Sequence, residues 1–223
     1  QSPTLAECDT PCTSTALVKV LPPANYSSNN FGRSIAVAGD TLVVGSPYEI
    51  GSAGTRSGAA YVFSRQTYGG SWIQMQRLVA SDEAEVANDF FSANDHFSYD
   101  IAFDGNTLLI GANGVGDNTG AAYTFTLQAG LWVETQKLTA ADGAKGDMFG
   151  INVAVHGDTL VIGAYRDQDR GFNTGSAYIF SLEEDGTGTK TWEQSAKLVG
   201  LDTATGDNFG ESVAVSPGLV AVG

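Results

Sequence analysis

The stretch with the strongest claim to chemistry is Asp167-Gln168-Asp169-Arg170-Gly171-Phe172-Asn173. A hard divalent cation such as calcium needs several oxygens converging on one point, with a glycine for the sharp turn. Asp167 and Asp169 alternate as such a loop requires, and Asn173 adds a side-chain carbonyl, so these three are the expected metal ligands. Against them, Arg170 brings a positive charge, and the competing reading is a solvated acidic turn. Asp117 and Asn118 in Gly-Val-Gly-Asp-Asn-Thr-Gly are a weaker version, and Glu49 stands alone. Cys8 and Cys12 lie in Cys-Asp-Thr-Pro-Cys. In an oxidising compartment they are expected to close a small local disulfide; free thiols or pairing with another chain are the alternatives. No second ligand pair follows, so zinc is a poor fit. Asn25-Tyr26-Ser27 is a glycosylation sequon.

Catalysis finds little support. The two histidines, His96 and His156, do not occupy equivalent places in the text, and no nucleophile elbow, zinc-helix motif or phosphate loop is present. No catalytic residue is assigned, and the protein is not expected to be an enzyme. Lys and Arg total 11 against 25 Asp and Glu, a formal net charge of −14. Nucleic acid and anionic membrane surfaces both need a basic patch, so neither is an expected partner. No apolar run approaches the roughly 20 residues of a membrane span. The chain opens on Gln1, which suggests a removed signal peptide and an extracellular or cell-surface location.

The residues that must position any site repeat along the chain. Trp72, Trp132 and Trp192 stand 60 residues apart, as do Leu78, Leu138 and Leu198. Phe31-Gly-Arg-Ser-Ile-Ala-Val-Ala-Gly-Asp-Thr-Leu-Val-Val-Gly-Ser recurs from Phe97 and from Phe149, and Phe209 opens a fourth copy. Each copy predicts four short strands. The first is of the Ile35-Ala36-Val37 type and turns at a Gly-Asp or Gly-Asn pair into the second, Leu42-Val43-Val44. The third is Gly58–Phe63, matched by Gly120–Phe125 and Gly175–Phe180. The fourth, Trp72–Leu78, alternates with polar residues and reads as the half-solvated outer strand. The recurring acids Asp82, Asp142 and Asp202, and Asp95, Asp147 and Asp207, read as turn caps.

This layout predicts an all-β fold of four-stranded antiparallel β-propeller blades. Residues 1–14 form an N-terminal segment with the cysteine loop. Residues 15–223 form the repeats, starting near 31, 97, 149 and 209, with the fourth incomplete. The Phe-Gly opening, followed by Gly-Ala or Gly-Ser-Pro, resembles the FG-GAP repeat of integrin α-like propellers, in its secreted non-integrin branch. Repeat two departs from it, with Ser98 where the others carry glycine. The resemblance implies calcium-binding loops of the form Asp-x-Asp-x-Asp-Gly-x-x-Asp; here Gly171 replaces the middle acid. It also implies an extracellular structural or adhesion protein whose blades mediate assembly or surface attachment, with other proteins or copies of itself as partners. The alternative is a carbohydrate- or ligand-binding module of a larger secreted protein. The chain is expected either to continue past Gly223 or to borrow a strand from a neighbour, a contact that can propagate into a filament.

Overall fold

The computed structural model describes residues 20–21, 29–51, 54–65, 71–82 and 95–223. Cys8, Cys12, Asn25 and most of the strand expected at 15–21 lie outside these residues.

The described chain is all-β, in three four-stranded sheets and one hairpin. The first sheet contains β1 (Ile35–Ala38), β2 (Thr41–Ser46), β3 (Ala59–Ser64) and β4 (Ile73–Leu78). The second contains β5 (Ile101–Phe103), β6 (Thr107–Ala112), β7 (Ala121–Gln128) and β8 (Leu131–Leu138). The third contains β9 (Val153–His156), β10 (Thr159–Ala164), β11 (Ser176–Glu184) and β12 (Lys190–Leu198). The hairpin is β13 (Val213–Ser216) with β14 (Leu219–Val222). Each sheet runs in sequence order with every neighbour antiparallel, so each is one blade of a β-propeller. The short segment Val115–Asn118 is a turn rather than a helix, because Gly116, Asp117 and Asn118 all have positive φ.

The middle strands are buried and the fourth strand is half-solvated, as the alternation predicts. Each blade carries a register shift between its third and fourth strands, at Val62/Phe63, Thr124/Phe125 and Ile179/Phe180. Such bulges bend the strand and increase its local twist.

The core lies between blades. Val43, Ala60 and Val62 of the first blade pack with Phe97, Ile101, Leu108 and Tyr123 of the second. Leu109, Ala122 and Leu138 pack with Phe149, Val153, Leu160 and Tyr178 of the third. The Phe that opens each repeat meets its own blade's Tyr edge-on, with centroids at 5.7 Å for Phe31–Tyr61, 5.5 Å for Phe97–Tyr123 and 5.4 Å for Phe149–Tyr178. These aromatics are core residues.

Candidate functional site

In every complete blade the buried Tyr of the third strand stands directly opposite a cation on the fourth: Tyr61 and Arg77, Tyr123 and Lys137, Tyr178 and Lys197. Opposed side chains of an antiparallel pair lie close enough to interact. A carboxylate completes each group, and its source changes from blade to blade.

In the first blade the acid is Glu49, from the loop after β2. Tyr61 donates to its Oε2 at 2.7 Å, and Arg77 Nε and Nη2 both lie 2.8 Å from its Oε1. Glu49 is only 1% exposed, so it is not a solvated surface acid. A buried carboxylate survives only when paired and hydrogen-bonded, and Arg77 and Tyr61 supply both. Burial, then the hydrogen bond and charge of Glu49, raise the Tyr61 hydroxyl well above its ordinary value.

In the second blade Val115 takes the place of that acid, and Asp82 arrives from the preceding linker. Tyr123 donates to Asp82 Oδ1 at 2.8 Å, and Lys137 donates to Oδ2. The third blade uses both sources. Asp142 comes from the linker, and Asp167 and Asp169 come from the loop after β10. Lys197 Nζ lies 2.7 Å from Asp142, 2.8 Å from Asp167 and 2.5 Å from Asp169. Tyr178 donates to both Asp142 and Asp167 at 3.0 Å. Burial alone would raise the Asp167 carboxyl, but hydrogen bonds from Lys197, the Asp169 backbone and Tyr178 bring it below its ordinary value. Asp142 is lowered in the same way, burial being overcome by Lys197 and Tyr178. Burial also works against the Lys197 ammonium, but its three carboxylates raise its proton affinity. Asp82 and Asp142 therefore hold side chains of the next blade, a role the turn-cap reading missed. Asp147 and Asp207 do cap turns, accepting from the backbone of Ala144 and Ala204.

Of the three expected metal ligands, Asp167 and Asp169 converge on the Lys197 ammonium. Asn173 has a φ of 51°, and its backbone carbonyl accepts from Asn208. The residues as placed do not fit calcium. Among the described residues no group of three or more His, Cys, Asp or Glu side chains is placed to hold a metal ion. The carboxylates of Asp142, Asp167 and Asp169 instead pair with the Lys197 ammonium. Asp117 is exposed and pairs with Lys145.

Neither histidine belongs to a catalytic arrangement among the described residues. His96 packs edge-on to Tyr48 at 4.9 Å, and its Nδ1 has no hydrogen-bond partner. Burial and the nearby Arg56 charge lower its proton affinity. His156 sits at the exposed end of β9.

The family model of the FG-GAP repeat matches residues 16–63, 72–125, 132–180 and 192–223. The chain belongs to the FG-GAP repeat family. No curated protein matches it. A match such as 72–125 begins at the outer strand of one blade and ends in the third strand of the next, so each FG-GAP unit contains an inter-blade junction. The two glycines of the motif meet at that junction. A Cβ on Gly111 would lie 2.1 Å from the carbonyl oxygen of Gly150, and one on Gly163 would lie 1.9 Å from that of Gly210. Ser98, which breaks the motif, keeps the left-handed backbone at φ 72°. Its hydroxyl accepts from Ser46 N at 2.9 Å and donates to Ala59 O at 2.6 Å, offsetting the strain. Side-chain amides complete the FG-GAP junctions. Gln76 pairs with both backbone groups of Trp132 at 2.8 Å, and Gln136 does the same with Trp192.

Proposed function

We propose that this FG-GAP propeller segment is a non-catalytic protein–protein interaction module, acting outside the cell in adhesion or surface assembly. The observation that carries the reading is one face of the first blade. In the second and third blades the leading residue of the innermost strand packs on the blade before it, leaving Ile101 6% and Val153 5% exposed. On β1 the equivalent Ile35 is 62% exposed, and Val37 beside it 61%. A β-branched apolar pair on a flat blade face, shaped to receive another blade-like surface, is a protein-binding feature.

Light scattering across a concentration series tests the reading. The wild-type chain associates with itself, and Ile35→Asp with Val37→Asp is monomeric with an unchanged melting temperature. A wild-type chain that stays monomeric at the highest soluble concentration removes self-assembly. A carbohydrate- or ligand-binding module is the second reading, favoured by Phe172, an aromatic 64% exposed on the loop before β11. Glycan binding abolished by Phe172→Ala would support it.

A further inference from the structure

The residue just before the Phe that opens each repeat is held in the left-handed region of the backbone. It is Asn30, His96, Met148 or Asn208, with φ of 54–59°. Asparagine tolerates that conformation. Of the four, His96 alone can change its charge near neutral pH. We propose that His96 is a proton-sensitive joint between the first and second blades, which holds while its ring is neutral and loosens when the ring is protonated.

The two blades touch backbone to backbone at this point. Phe97, the next residue, forms a parallel bridge with Gly58 of the first blade, and its N–H donates to Ser57 O at 2.9 Å. A Cβ on Gly58 would lie 2.3 Å from the Phe97 carbonyl oxygen. The first blade covers the His96 ring with Tyr48, edge-on at 4.9 Å, and Tyr99, ahead of β5, lies 6.2 Å away. Nδ1 is buried without a hydrogen-bond partner among the described residues. Asn113, in the loop after β6, is 3% exposed, and its Oδ1 is likewise buried and unpartnered. Such surroundings accept a neutral ring and resist an imidazolium, because a buried charge needs a partner. The charged neighbours add to this. Arg56, on the same loop as Tyr48, opposes a second positive charge. Arg33 lies over Tyr99, 4.4 Å from its centroid. The acids point to other tasks. Glu49, beside Tyr48, is held by Arg77 and Tyr61. The charge of Asp95 acts on Tyr123, and Asp100 accepts from Val153 N at 2.8 Å. Burial, then Arg56, outweigh the favourable contact with Asn113 and hold the imidazole below its ordinary proton affinity. In an open joint the freed ring binds its proton at about pH 6.5. The contribution of His96 to the joint is therefore complete above that value and is lost as the pH falls below it, until the folded ring is itself protonated. This inference does not rest on the assembly reading above and can fail without it.

Histidine NMR titration and amide hydrogen exchange test the proposal, on the wild-type chain and on His96→Asn, which carries the residue that Asn30 and Asn208 supply in the first and fourth repeats. The chain has two histidines, and the exposed His156 is the reference. The His96 resonance titrates below that of His156. Exchange of the Phe97 N–H, corrected for its intrinsic pH dependence, accelerates from about pH 7.5 to about pH 5.5 by at most about tenfold per pH unit, the limit for one proton. In His96→Asn that acceleration is lost, and the melting temperature gains more from the same acidification than in the wild type. If His96→Asn does not fold, the wild-type titration decides by itself, because a proton bound more weakly by the folded chain lowers its stability through linkage. A His96 resonance that titrates at or above that of His156 overturns the proposal. So does Phe97 exchange that depends on pH alike in both chains.

Discussion

At the residue scale, the unit that matters is a tyrosine, a cation and an acid, and Glu49 shows how strongly it is held. Its carboxylate is buried, so its three hydrogen bonds have no water to replace them. Glu49→Gln keeps the shape but removes the charge and leaves Arg77 poorly matched. A hydrogen bond to a charged group contributes about 1.5–3 kcal/mol, discounted here because Arg77 is 37% exposed. A loss of about 2 kcal/mol is expected, which lowers the melting temperature by about 4–8 °C in a chain of this size. Tyr61→Phe leaves the ion pair intact and costs about half as much. Circular dichroism melts check both, and a Glu49→Gln chain that melts like the wild type would return Glu49 to the solvated class. The sequence hid this role for a physical reason. A lone acid in a polar loop is exposed far more often than buried, and nothing local marks Glu49 or Asp167 as exceptions. The signal lay at long range, in cations at 77, 137 and 197 opposite the tyrosines of the third strands.

At the element scale, most of the fold was legible, because strand alternation and turn glycines act locally. The four-strand blades, the outer strand and the central burial of β6 and β10 follow from apolar runs and their spacing. The reason for the second glycine of each motif was not legible, since it depends on the backbone of the next blade. Gly111 lies within β6, where alanine would ordinarily be tolerated or favoured. Gly111→Ala must instead push the Gly150 carbonyl away from a contact of 2.1 Å. The obstacle is backbone, so no rotamer change relieves it. Overpacking of this kind costs about 1–3 kcal/mol or more, and the expected drop in melting temperature is at least about 2 °C. Hydrogen exchange should show the loss concentrated at the junction of the second and third blades. A neutral Gly111→Ala would mean that the blades are more loosely packed than they stand here. Ser98 marks the same junction one blade earlier, where a side chain is accommodated only because both its hydrogen bonds are met.

At the scale of the whole molecule, charge decides how stability responds to pH. The chain carries a formal charge of −14 at neutral pH, with an isoelectric point near 4.2. Self-repulsion therefore weakens as the pH falls from 7 towards the isoelectric point, which favours the compact state. Asp147 and Asp100 act in the same direction. Burial raises both carboxyls above their ordinary value, so the folded chain takes up their protons more readily than the unfolded chain does, and stability is gained as they bind. Asp82, Asp142 and Asp167 act the other way. Hydrogen bonds to lysine and tyrosine outweigh burial and hold all three below the ordinary value. Their contribution is complete above the unfolded value, about 3.9 for Asp, and is lost as the pH falls below it towards their folded values. The melting temperature should therefore rise gently from neutral to mildly acidic pH and then fall steeply below about pH 4. The steep limb belongs to the ion pairs, so Asp167→Asn should be less stable than the wild type at neutral pH and lose less on further acidification. The two curves should converge at the acid end. If they instead run parallel down to the lowest pH at which the chain folds, the acid limb arises from general charge and not from the carboxylates gathered on Lys197.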